Sequence, residues 1–230
     1  MKTIGLIGGM SWESSREYYR HLNEMVKAEL GEPHSCPCLL YSVDFAEIKE
    51  LQHQDSWEEL ADRMVEIARK LEKAGAGLIL ICANTMHRLA GEVESQLNIP
   101  LVHIADAAAV EIKKQKITRV GLLGTRFTME GDFYWQRLEV NHGLEVVIPG
   151  KEARDEIHRI IYQELISGII KESSRDKLIR IIGNLPEVEG IILGCTELPL
   201  LFEDRGLEIP IFDTMKLHAR QAVRLALQQG

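Results

Sequence analysis

The chain has no apolar run near the ~20 residues a membrane-spanning helix needs. Its first residues, MKTIGLIGGM, break at a glycine pair too early for the core of a secretion signal. Both absences point to a cytoplasmic protein without a membrane partner. Positive charge is also short: 27 Lys and Arg stand against 35 Asp and Glu, a formal net charge of −8. Neutralising phosphates needs a basic face, so nucleic acid is not an expected partner. The 4 cysteines, Cys36, Cys38, Cys82 and Cys195, are too few and too unevenly spaced for a disulfide framework. Cys36 and Cys38 are one residue apart with no second pair, so no metal site is expected. The sequence contains no GxGxxG with an acidic residue at ribose spacing, no Walker lysine, no GxSxG elbow and no HExxH pair, so nucleotide, serine-hydrolase and zinc-protease chemistry lose their usual support.

What is present is a regular alternation. Continuous Ile, Leu and Val runs occur at Thr3 to Gly8, Cys38 to Val43, Leu78 to Cys82, Pro100 to Ile104, Arg119 to Gly124, Glu145 to Ile148, Gly190 to Gly194 and Pro210 to Phe212. Unbroken apolar strands are those covered by helices on both faces, which predicts an α/β fold with parallel sheets. Amphipathic helices lie between them. In SWEELADRMVEIARKLEKAG, Leu60, Met64, Ile67, Ala68 and Leu71 share one face, Ser56 and Glu59 have the spacing of a capping box, and Gly75 follows the last turn. Asp106 and Asp213-Thr214 also read as helix starts.

The chain reads twice. IGLIGGMSWE at Ile4 to Glu13 matches VGLLGTRFTME at Val120 to Glu130 in pattern: an apolar strand, glycine, small or hydroxyl residues, then a helix. A second strand-to-helix junction follows each, about 75 and 71 positions after Gly8 and Gly124, at Ala83-Asn84-Thr85 and Cys195-Thr196-Glu197. Two pseudo-symmetric α/β lobes are implied, residues 1–116 and 117–214, each a parallel sheet flanked by helices. A C-terminal helix over 215–230 is expected to pack back on the first lobe. Ligands in parallel α/β sheets bind at the carboxyl ends of strands, so the active site is expected between the lobes.

At those junctions Cys195 is the reactive candidate. A helix N-terminus stabilises an anion, which predicts a lowered thiol pKa and an available thiolate. Asn84, Thr85 and Thr196 offer amide and hydroxyl groups to a small carboxylate. Gly8 and Gly9 permit close backbone approach, and Ser11 is placed to cap the following helix. Cys82 is expected to turn into the core, because neighbouring residues of a strand face opposite ways. His87, His103, Asp106 and His218 fit no metal or triad spacing and read as structural.

GLIGGMSWES, ANTMH, LGTRFTM and GCTELP, in this order across essentially the whole chain, resemble the aspartate/glutamate racemase family. The resemblance implies two α/β domains with the substrate between them, a homodimer, and racemisation of a small amino acid, most readily aspartate or glutamate, without pyridoxal phosphate or any other cofactor. In that family a thiol on each side of the substrate exchanges the Cα proton. Cys195 matches the second of these positions. The candidate substrate contacts are Gly9, Met10, Gln52, Ala83, Asn84, Thr85, Thr125, Thr128 and Thr196.

Two departures stand out. Ala83 occupies the position of the first acid/base, so Thr85 or a water would have to supply the opposing proton, and turnover is expected to be impaired or one-directional. Ile166 stands where dicarboxylate-selective members often carry lysine, leaving Gln52 and Arg126 as substitutes for that cation. Beside the racemase reading stand a single-cysteine decarboxylase of the same superfamily, for which Ala83 is no obstacle, and an amino-acid-binding protein without turnover.

Overall fold

The computed structural model describes residues 1–202 and 207–228. The chain divides into two compact units, one comprising Met1–Ile104 with the residues from His218 onward, the other Ala105–Leu217. In the first unit the order is β1 (Ile4–Gly8), α1 (Trp12–Leu30), β2 (Cys38–Ser42), α2 (Phe45–His53), α3 (Trp57–Lys73), β3 (Leu78–Ile81), a 3₁₀ segment (Thr85–Leu89) and α4 (Ala90–Glu94). Then follow α5 (Ile104–Lys114), β4 (Arg119–Gly124), α6 (Arg126–Glu130), α7 (Asp132–Gln136), β5 (Glu145–Val147), α8 (Lys151–Gln163), α9 (Glu172–Gly183), β6 (Gly190–Gly194), a 3₁₀ turn (Leu198–Leu201) and β7 (Ile211–Asp213). The last helix, α10 (Thr214–Leu227), enters the first unit at His218.

Each unit holds one parallel sheet, ordered β2-β1-β3 in the first and β5-β4-β6-β7 in the second. The strand that opens each unit is thus flanked by the next two, as the repeated sequence pattern implies. β1, β3 and β6 are buried along their whole length, which accounts for their uninterrupted aliphatic sequences. β2, at a sheet edge, holds only half-buried and exposed residues. The expected strand at Pro100 to Ile104 reduces to one bridge, Leu101 beside Ile79, because Ile104 already begins α5.

The helices close over the sheets by their apolar stripes. On α3, Leu60, Met64, Ile67, Ala68 and Leu71 are buried as their spacing predicts, and each large side chain so buried contributes roughly 1.5–3 kcal/mol. Ser56 lies at the N-cap of α3 but makes no side-chain cap bond. Its ψ of 58° departs from the extended backbone that aims a cap hydroxyl at the first turn. Ser11 does cap α1, accepting from the Ser14 amide at 3.2 Å. Asp213 caps α10, accepting from the Lys216 amide at 3.1 Å. Asp106 lies inside the first turn of α5, where its carboxylate binds Arg137 in two-pronged fashion at 2.7 and 2.6 Å and His142 at 2.8 Å. Among the described residues, no helix is long and apolar enough to cross a membrane.

Candidate functional site

Each unit presents its chemistry where β-strands end. In the first, Gly9 follows β1 with φ of +90°, a conformation that favours glycine, and a Cβ there would collide with the Val43 backbone. Its amide donates to Ser15 Oγ at 2.9 Å, which ties the GGMS loop to α1. Met10 is buried. After β3, Ala83 and Thr85 are half-buried and Asn84 is buried, with Thr85 opening the 3₁₀ segment. Gln52 of α2 reaches the same segment, its Nε2 lying 3.2 Å from Met86 Sδ. Cys82 is buried, and desolvation pushes its thiol far up, as a core cysteine requires.

His87 is also buried, and its Nδ1 lies 2.9 Å from the Ala83 carbonyl oxygen. Behind it are His103 and His218, with ring centroids 4.7 and 5.4 Å away. His218 is held by Tyr18 Oη at 2.8 Å on Nδ1 and by the Val102 carbonyl at 2.7 Å on Nε2. A carbonyl can only accept, so Nε2 of His218 carries a proton and, in the neutral ring, Nδ1 accepts from the phenol. These histidines buttress the Ala83 turn from inside, consistent with the structural role read from their spacing.

In the second unit, Thr125 caps α6, its hydroxyl accepting from the Thr128 amide. Thr128 is fully buried. Its Cβ and Cγ2 occupy the space over Gly124 and Gly194, where a side chain at either glycine would crowd them at 3.1 Å. Arg126 is committed locally, its guanidinium binding Asp155 of α8 at 2.8 Å.

Cys195 follows β6 and retains 7% exposure. Its thiol donates to Glu197 Oε2 at 2.9 Å, and the Thr196 hydroxyl donates to the same oxygen at 2.8 Å. The thiol pKa lies well above the ordinary value, first through burial and then through the Glu197 charge and hydrogen bond. The expectation of a lowered pKa is therefore overturned. Amide bonds from Glu197 and Leu198 do favour the thiolate, but the following helix is only the 3₁₀ turn Leu198–Leu201, and its few donors do not outweigh desolvation beside a carboxylate. The resting group is a protonated thiol.

Sequence reasoning omitted Glu197, although GCTE displays it two residues after the cysteine. It also omitted His158 and Tyr162 of α8. The backbone amide of Arg126 donates to His158 Nδ1 at 3.2 Å. The rings of His158 and Tyr162 lie with centroids 4.4 Å apart, tilted by 40°. The Tyr162 phenol pKa is raised, first by burial and then by the charges of Cys195 and Glu197. Nothing in the sequence ties these two aromatics to a cysteine more than thirty residues away. Among the described residues no group of three or more His, Cys, Asp or Glu could hold a metal ion.

Residues 7–222 match the family model of Asp/Glu/Hydantoin racemase. The broad specificity amino-acid racemase RacX of Bacillus subtilis (strain 168) is 26% identical over 96% of this chain and 96% of its own. A crystal structure of a candidate Asp/Glu racemase from Yersinia pestis superposes with a TM-score of 0.95 at 50% identity, covering 99% of this chain and 100% of the other. An aspartate racemase homologue from Pyrococcus horikoshii OT3 gives 0.88 at 38% identity, with 99% and 100% covered. With a family model spanning both units and both strand-end junctions, the chain belongs to the Asp/Glu/Hydantoin racemase family.

Proposed function

We propose that the protein is a cofactor-independent amino-acid racemase in which Cys195 exchanges the Cα proton, assisted by Glu197. The observation that carries this reading is the 2.9 Å contact between the Cys195 thiol and Glu197 at the carboxyl end of β6. A thiol held protonated is poised to donate. To act as base it first passes its proton to Glu197, and the thiolate then removes the Cα hydrogen. The balance is a carbanion, a regenerated thiol and a protonated Glu197. Return of the proton from the same thiol restores the starting enantiomer with exchange. Inversion requires a proton from the opposite face, which Ala83 cannot supply and which falls to Thr85 or a water. Gly9, Asn84, Thr85 and Thr196 are read as the groups that receive the substrate carboxylate, and the enzyme as a cytoplasmic homodimer.

Incubation with single enantiomers in D2O tests this. Cα deuteration faster than optical inversion is expected. Absence of both, with retained binding, would leave an amino-acid-binding protein. Ala83 also favours a second reading, because a decarboxylase needs only one proton donor; carbon dioxide release from a substituted malonate, with no Cα exchange in amino acids, would establish it.

A further inference from the structure

In the first unit, α1 and α10 line a groove of about 560 Å³. It lies at the far edge of the sheet from the GGMS and Ala83 turns. α1 leaves the carboxyl end of β1 at Trp12, and Met25 in the groove is thirteen residues on, about 20 Å along the helix. The Lys2 amide donates to the Ala226 carbonyl at 2.8 Å, which sets the end of α10 beside the start of β1. The floor is apolar, with Val223 buried and Met25 and Leu227 half-buried.

Arg220 and Arg224 stand over this floor, a helical turn apart on one face of α10. Like charges at that spacing repel, and α10 has no acid to offset them. Among the described residues neither guanidinium has an ion pair or a hydrogen bond, whereas Arg20 of α1 is held by both Glu17 and Glu24. Glu29 of α1 also lines the groove and pairs with neither arginine. Two cations against one acid leave one positive charge in surplus, in a chain whose net charge is −8. Neighbouring guanidiniums make a fork suited to one carboxylate, and the floor suits a hydrocarbon body. A second carboxylate on the same ligand would lie on the apolar floor or face Glu29 without a counter-charge. The α10 wall from Arg220 to Gln228 rises only about 12 Å, too little for a protein interface of roughly 20–30 residues a side.

We infer that the α1–α10 groove is a second ligand site, for a small monocarboxylate carried on an apolar body. It does not depend on the racemase reading, since its test reads binding alone.

Calorimetric titration with octanoate, suberate, acetate and octylammonium tests it in the native protein, Arg220→Gln, Arg224→Gln and Glu29→Gln. All three positions are exposed, so urea midpoints should stay close to native. Octanoate is expected to bind the native protein with a submillimolar Kd, and acetate and octylammonium about tenfold more weakly or worse. Each arginine variant should lose about tenfold on octanoate, the loss of a charge-assisted bond. Suberate, equal in length but doubly charged, should bind about fivefold more weakly than octanoate, and Glu29→Gln should narrow that gap. Absence of saturable octanoate binding, octanoate binding unchanged in both arginine variants, or octylammonium binding as tight as octanoate would each overturn the site. Suberate binding tighter than octanoate would overturn its preference for a single carboxylate.

Discussion

The junctions after β3 and β6 occupy equivalent places in two sheets of matching strand order, yet they are built to opposite ends. After β3, the Ala83 carbonyl is held by His87 at 2.9 Å, and a buried network of His103, His218 and Tyr18 lies behind it. That turn is backed by buried side chains and presents no titratable side chain at position 83. After β6, two titratable groups, Cys195 and Glu197, are 2.9 Å apart. The two sheets share their strand order around the opening strand, while the proposed acid/base pair stands at one junction alone. The strand end supplies a place for chemistry; the first two or three residues beyond it decide which chemistry, if any.

The largest expected effect breaks the richer junction. Cys195→Ala removes the exchanging group, and Cα deuteration should fall at least ~10³-fold, within the range of a lost acid/base catalyst. Cys82→Ala, in the core after β3, should leave the rate within about twofold. If the Cys82 change alone silenced exchange, the assignment of chemistry to the β6 junction would be reversed.

Glu197→Gln separates the two partners. It removes a charge that holds the thiol pKa up, so alkylation of Cys195 by iodoacetamide at pH 8, followed by peptide mass, should become faster. Exchange should nevertheless drop by about 10²-fold because the proton relay is gone. Opposite signs in the two assays distinguish a relay from a merely structural carboxylate. Stability follows from the same shift. A raised thiol pKa means that the fold favours the neutral form, a contribution fully present below the ordinary thiol pKa of ~8.5 and lost as pH rises toward the folded value. Above about pH 8.5, the fall of the urea midpoint with pH should therefore extend to higher pH in the native protein than in Glu197→Gln.

Ala83→Cys sharpens the comparison from the other side by giving the β3 junction a thiol. Inversion should rise about tenfold and approach the deuteration rate, since a second proton source removes the bottleneck to crossing faces. Unchanged inversion with unchanged stability would mean that the proton on that face comes from elsewhere.

The sheets were legible because their cause is local: fully covered strands are continuously apolar, and β1, β3 and β6 are so. Ser11 and Asp213 were legible as caps for the same reason. Ser56 was not, since its backbone at ψ 58° depends on how the preceding turn folds. Leu101 was overread as part of a strand because aliphatic composition does not reveal that α5 starts three residues later. At the candidate site, Cys195 was singled out by its place at a strand end and does follow β6, but its thiol pKa was misjudged because burial and Glu197 outweigh the helix start. His158 meets the Arg126 amide after β4 only through the packing of α8, which no spacing in the sequence encodes.

The smallest predicted effects compare the two caps. Ser11 accepts from Ser14 at 3.2 Å and starts the 19-residue α1, while Thr125 accepts from Thr128 at 3.4 Å and starts the 5-residue α6. Cap geometry alone would make Ser11 the costlier loss, at about 1 kcal/mol for Ser11→Ala. Thr125 has a second role, however: its hydroxyl faces Thr128 Oγ1 at 3.3 Å, and Thr128 is fully buried. Removing the half-buried partner of a buried hydroxyl costs up to about 1–3 kcal/mol because the buried group is left desolvated. Thr125→Ala should therefore lower the urea midpoint more than Ser11→Ala, despite the longer cap bond and the shorter helix. The double variant Thr125→Ala with Thr128→Val, which removes both hydroxyls, should recover part of that loss. If it does not, the cap bond itself is what Thr125 contributes, and the two helix starts differ less than their surroundings suggest.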